Sequence, residues 1–194
     1  MLGTSQALLT ACCLVTAATF PTVSAATDQD PVIAVRVEGR ASVDDESLRR
    51  AQAFATEIYA QAGVVLEWTS TPTTEPDGAL TIVLTTMKTA PRGIAPESMG
   101  VAPSPNDGTR GTRAYIFMDK VLAFTSAHKV AAGHVLACAM AHEIGHLLLP
   151  PNSHRDDGIM RGNWHPGLFP PRAPGLPRFP VDQARLLRTR SASR

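Results

Sequence analysis

Two histidines and a glutamate stand at a spacing that can hold a metal ion and move a proton. They are His142-Glu143-Ile144-Gly145-His146, an H-E-x-x-H motif. On an α-helix, positions i and i+4 lie one turn apart on one face. Both imidazoles can therefore bind the same ion, at about 2.0–2.1 Å each for zinc. Glu143, next to the first histidine, can hold a water on that ion from the side. Zinc with three protein ligands keeps its fourth position open, and it brings a water held there to a pKa of roughly 7. The run from Val130 to Leu149 carries no charge apart from Glu143 and whatever the histidines bear. A carboxylate in so apolar a helix is costly unless something compensates it, and a metal-activated water is such a partner.

The third ligand has to come from elsewhere. No glutamate follows Glu143, which removes the arrangement in which a glutamate on a later helix completes the site. The candidates are His154, Asp156, Asp157, His165 and Asp182. His154 is preferred: Pro150 and Pro151 stop the helix at about Leu149, and the chain can then turn back beneath the metal. Ile159-Met160 follows closely.

This stretch resembles the metzincin peptidases, whose pattern is H-E-x-x-H-x-x-G-x-x-H followed by a methionine turn beneath the metal. His142, Glu143 and His146 match position for position, and His154 and Met160 match by role. Two positions depart: Leu149 stands where the family has its glycine, and His154 comes eight residues after His146, two more than in the family. The resemblance implies an α+β, zincin-like fold: a mixed, twisted sheet of four to five strands, a backing helix, and a helix carrying the motif. It also implies one zinc ion on His142, His146 and His154, with Met160 packed under the histidines. Glu143 would accept a proton from the water and pass it to the leaving amine. The substrate would be a peptide or protein. In that family an edge strand lines the cleft antiparallel to the bound peptide, which assigns the role to Met99, Gly100, Val101 and Ala102.

Around the motif, the periodicities predict the elements that must position it. Pro31–Val37 alternates weakly and favours a strand. Residues 43–62 repeat apolar positions at helical spacing, entered by a capping box at Ser42 and ended by Gly63. Val64–Trp68 is a second strand, so the first three elements read as a βαβ crossover. Leu80–Thr86 reads as a buried strand, Met99–Ala102 as a short edge strand, and Thr112–Met118 as a further strand. A short helix is predicted over Lys120–Ala127, and the motif helix from about Val130 to Leu149. Trp164–Pro180 holds six prolines and three aromatics with no period, and is expected to wrap over the domain through Trp164, Phe169 and Phe179. Val181–Arg188 reads as a last short helix, followed by a disordered tail from Thr189.

The 194 residues suggest one domain, with a catalytic core at about 31–164, the extended segment 165–180 and the helix 181–188. A net charge of +1 gives no strong field toward nucleic acid, and no nucleic-acid partner is expected. Residues 1–25 carry no charge, are apolar from Leu8 to Phe20, and end in Val23-Ser24-Ala25-Ala26. They read as a secretory signal cut near Ala25, too short to span a bilayer, which implies a secreted or periplasmic chain without a transmembrane segment. Leu9-Thr10-Ala11-Cys12 offers the alternative of a lipid anchor on Cys12. After cleavage Cys138 is the one cysteine left, so no internal disulfide forms, and its place in the apolar helix makes it a core residue. His134 is expected to have a structural or surface role, and Arg161 and Trp164 to border the cleft. The chain is expected to act as a monomer. Two alternatives stand beside the peptidase reading: a zinc-binding module without activity, and an interaction protein using the proline- and arginine-bearing C-terminal segment.

Overall fold

The computed structural model describes residues 30–39, 43–69, 79–90, 93–105, 109–164 and 176–193. The expected leader with Cys12, the cap residue Ser42, His165 and most of the proline-rich stretch lie outside them.

Among the described residues five strands form one mixed sheet. In chain order they are β1 (Val32–Glu38), β2 (Val65–Thr69), β3 (Leu80–Thr85), β4 (Gly100–Val101) and β5 (Arg113–Phe117). Their spatial order is β2-β1-β3-β5-β4, with β4 antiparallel to β5 and every other pair parallel. Parallel strands need covered faces, and β3 in the middle meets that demand: Leu80, Thr81, Ile82 and Leu84 are all buried.

Helix α1 (Asp45–Ala60) connects β1 to its parallel neighbour β2, the expected crossover. Its N-cap is Asp44, not the Ser42 expected from the sequence. The Asp44 carboxylate accepts from the Ser47 backbone N–H at 2.8 Å, and that bond holds its pKa below the usual carboxylate value. Leu48, Ala51, Ala55, Ile58 and Tyr59 form the buried face of α1.

Helix α2 (Met118–His128) follows β5 directly, and helix α3 (Ala132–Leu148) carries the motif. Fourteen of the 17 residues of α3 are buried, as expected of a helix that is apolar on all sides. Its most extensive partner is α1. There the Tyr59 hydroxyl donates to the Ala141 carbonyl at 3.0 Å, one residue before the first motif histidine. Leu149 ends the helix in an extended conformation (φ −84°, ψ 164°), the geometry that a following proline imposes.

Helix α4 runs over Val181–Ala192, past the expected end at Arg188 and into the expected disordered tail. The extra turn has tertiary reasons: Ser191 is buried, and Arg190 Nε donates to the Leu148 carbonyl at 2.7 Å. Among the described residues no helix is long and apolar enough to cross a membrane.

Candidate metal centre

Helix α3 presents His142 and His146 one turn apart, with ring centroids 4.7 Å from each other. The loop after Pro150-Pro151 turns back and delivers His154 to the same point. The three Nε2 atoms form a triangle with sides of 3.0 Å (His142–His146), 3.0 Å (His146–His154) and 3.3 Å (His142–His154). Two imidazoles bound tetrahedrally to zinc at 2.0–2.1 Å stand roughly 3.3 Å apart. The triangle therefore has the size of a three-histidine metal site, and these residues form the one cluster among those described that could hold an ion.

The protonation states suit the same role. Burial pushes His142 down to about 4 and His146 down to about 3, so both are neutral at physiological pH. His142 Nδ1 lies 2.9 Å from the Ile159 carbonyl oxygen. A carbonyl only accepts, so the proton sits on Nδ1 and the Nε2 lone pair points into the cluster. The Ser153 hydroxyl lies 3.4 Å from His146 Nδ1.

The loop delivering His154 is closed on itself, because the Arg155 N–H donates to the Met160 carbonyl at 3.0 Å. Met160 is fully buried and packs against Gly145, between the two helical histidines in sequence. A Cβ on Gly145 would come within 2.5 Å of Met160 Sδ, so this approach requires glycine.

Glu143 is 6% exposed, and desolvation pushes its carboxyl up to about 8. Its Oε2 has no hydrogen-bond partner among the described residues. An unpaired buried carboxylate oxygen is costly, and a structural carboxylate would be expected to have a partner. The carboxylate abuts Gly100 of β4. A cleft of about 760 Å³ passes all three histidines and Glu143, and its walls include β4, Met99, Ala102 and Trp164. Of the four residues expected to form the edge strand, Gly100 and Val101 make up β4 and stand in register with β5, and Met99 extends the contact by accepting from the Phe117 N–H of β5 at 2.8 Å.

The other candidates among the described residues lie elsewhere. Asp156 and Asp157 are exposed outside the cluster, and Asp182 pairs with Arg155 at 3.2 Å. Arg161 borders a second pocket beyond His154, where its Nε donates to the Asp156 carbonyl at 2.6 Å. Cys138 is buried, with its thiol pushed up to about 12, far from thiolate character. His134 stacks on Phe54 at 4.3 Å, a structural contact. His128, which has no partner evident in the sequence, meets Phe124 with ring centroids 4.5 Å apart and planes tilted by 58°, and lines the cleft.

Sequence reasoning did not find the Ile159 carbonyl, Ser153 or the closeness of Gly100 to Glu143. For Gly100 a signal existed, since a glycine inside a strand often marks a close approach. The other two contacts are made by a loop that has no period to read.

No protein-family model matches this sequence, and no curated protein or solved structure matches it either.

Proposed function

We propose that this chain is a secreted, zinc-dependent, metzincin-like endopeptidase that hydrolyses peptide bonds with an activated water. The observation that carries the reading is the Nε2 triangle of His142, His146 and His154, with the Glu143 carboxyl, whose Oε2 has no partner among the described residues, opening onto the same cleft. A purely structural zinc would close its fourth position and would need no base beside it.

Zinc on the three imidazoles would polarise a scissile carbonyl and bring a water to a pKa of roughly 7. Glu143 is the group available to take the proton from that water and hand it to the departing amine. Burial favours its protonated form, and a dication beside it favours the ionised one, so the carboxylate is poised between giving and accepting. His142 is kept in the ligating tautomer by the Ile159 carbonyl. β4, at the end of the described sheet, lies against Glu143 and suits an extended peptide laid beside it. Export rests on the uncharged, apolar residues 1–25 and their small-residue end.

The test is metal analysis of the purified chain together with cleavage of an unstructured protein. Wild type should carry one zinc and cleave. Glu143→Gln should carry the zinc and lose turnover, and His154→Ala should lose the zinc. A Glu143→Gln variant that cleaves at the wild-type rate would remove the general-base role.

A further inference from the structure

The segment at and just before α4 is tied to the end of α3 at one place and to the loop between α3 and Met160 at three. Arg190 Nε donates to the Leu148 carbonyl at 2.7 Å, and Gln183 Nε2 donates to the Ser153 carbonyl at 2.7 Å. Asp182 pairs with Arg155 at 3.2 Å, and the Arg178 carbonyl accepts from the Ile159 N–H at 2.9 Å. Gln183 differs from the rest because its side chain is buried, at 4% exposure, and its Oε1 has no partner among the described residues. Burying an amide with its oxygen unpaired is unfavourable, and an apolar side chain of the same shape would fill the space at less cost. What the glutamine adds over such a side chain is its N–H donor.

That donor acts on the residue joining two of the three imidazoles. Ser153 gives its carbonyl to Gln183, its hydroxyl lies 3.4 Å from His146 Nδ1, and the next residue is His154. Helix α3 fixes His142 and His146 through its own backbone, whereas His154 is exposed and sits on a loop. The loop therefore needs an outside anchor if His154 Nε2 is to stay at 3.0 and 3.3 Å from its partners.

We infer that Gln183 is a positioning residue for the metal site, holding the Ser153 backbone so that His154 completes the histidine triangle. It acts through the loop and does not touch the ion. The inference rests on the metal-site reading above. Outer partners of this kind typically contribute 10–100-fold to metal affinity.

The experiment compares wild type, Gln183→Met and Ser191→Ala in the full chain. Gln183→Met keeps the volume and removes the donor. Ser191→Ala removes another buried oxygen of α4 that has no hydrogen-bond partner among the described residues, and serves as the control. Zinc affinity is measured by competition with a chelator, thermal unfolding by calorimetry, and hydrogen exchange over residues 152–156 in the metal-free chain. Gln183→Met should bind zinc at least tenfold more weakly, with its unfolding temperature unchanged or higher and exchange in the loop at least tenfold faster. Ser191→Ala should match wild type in affinity and exchange. Should Gln183→Met fail to fold, Gln183→Glu, which replaces the donor by an acceptor, should show the same loss. An affinity within twofold of wild type overturns the inference. If the wild-type chain takes up no zinc, the metallopeptidase reading falls, and exchange in the metal-free chain alone decides whether Gln183 holds the His154 loop: unchanged rates overturn it.

Discussion

Gly100 lies directly against the carboxylate of Glu143: a Cβ built on it would stand 2.8 Å from Glu143 Oε1 and 2.8 Å from the Tyr115 carbonyl oxygen. The edge strand and the proposed base therefore share a boundary with no room for a methyl group. Gly100→Ala should push the carboxylate aside and leave the histidines in place. Misplacement by about 1 Å can cost roughly 10²-fold in rate. The variant should retain zinc by metal analysis and lose at least tenfold in kcat/KM on an unstructured protein. Full activity would mean that the carboxylate position is not critical.

Met160 supports the helix between the two motif histidines and closes the loop that carries His154. Truncating a fully buried methionine typically costs roughly 2–5 kcal/mol through lost burial and the cavity left behind. Met160→Ala should therefore unfold at clearly lower urea. Met160→Leu, which conserves volume, should lose under about 1.5 kcal/mol. Chemical denaturation of the two variants side by side checks this. Equal losses would mean that the site does not depend on how the methionine fills its space.

Burial places opposite proton demands on the site when no metal is bound. His142 is held at about 4 and His146 at about 3, against an ordinary 6.5. The stability they contribute is present above pH 6.5 and is lost as pH falls toward those values. Glu143 is held at about 8 against an ordinary 4.5, so its contribution is present below pH 4.5 and is lost as pH rises through 8. Between pH 4.5 and 6.5 the two histidines outweigh the one carboxyl. The metal-free chain should thus be most stable near pH 6.5 and lose about 2 kcal/mol by pH 8. Urea unfolding across this range should show the decline, and Glu143→Gln should abolish its alkaline side. A wild-type profile level from pH 6.5 to 8 would contradict a carboxyl kept neutral by burial.

Zinc bound to the folded triangle alone should stabilise the chain by mass action, about 2.7 kcal/mol at free zinc one hundred times the dissociation constant. Chelation should lower the unfolding temperature of wild type and leave that of His154→Ala nearly unchanged. Calorimetry with and without chelator distinguishes the two. Equal shifts would place the ion on other residues.

Local chemistry made much of this protein legible in its residues alone. The helical repeat puts His142 and His146 on one face wherever the helix goes, and the prolines at 150 and 151 must end it. The runs at 31–37, 64–68, 80–86 and 112–118 read as strands because β-branched and alternating residues suit few other conformations, and the observed strands lie within a residue of those bounds. His154 could be ranked first among five candidates, since the prolines stop the helix and His154 is the first of the five on the chain that turns back.

What depended on contacts between distant segments could not be read that way. The strand order β2-β1-β3-β5-β4 arises from sheet pairing between segments far apart in the chain. The last turn of α4 persists because Arg190 finds the open carbonyl at the end of α3, 42 residues earlier. Asp182, a candidate ligand by residue type, is drawn instead to Arg155. Gly100 meets Glu143, and Gln183 meets Ser153, only once the sheet and α4 have packed around α3. Residue type and spacing determined which groups could ligate or carry a proton, because those properties belong to the side chain and its own helix. Tertiary packing decided which of them converge, because burial and distance exist only between elements already brought together.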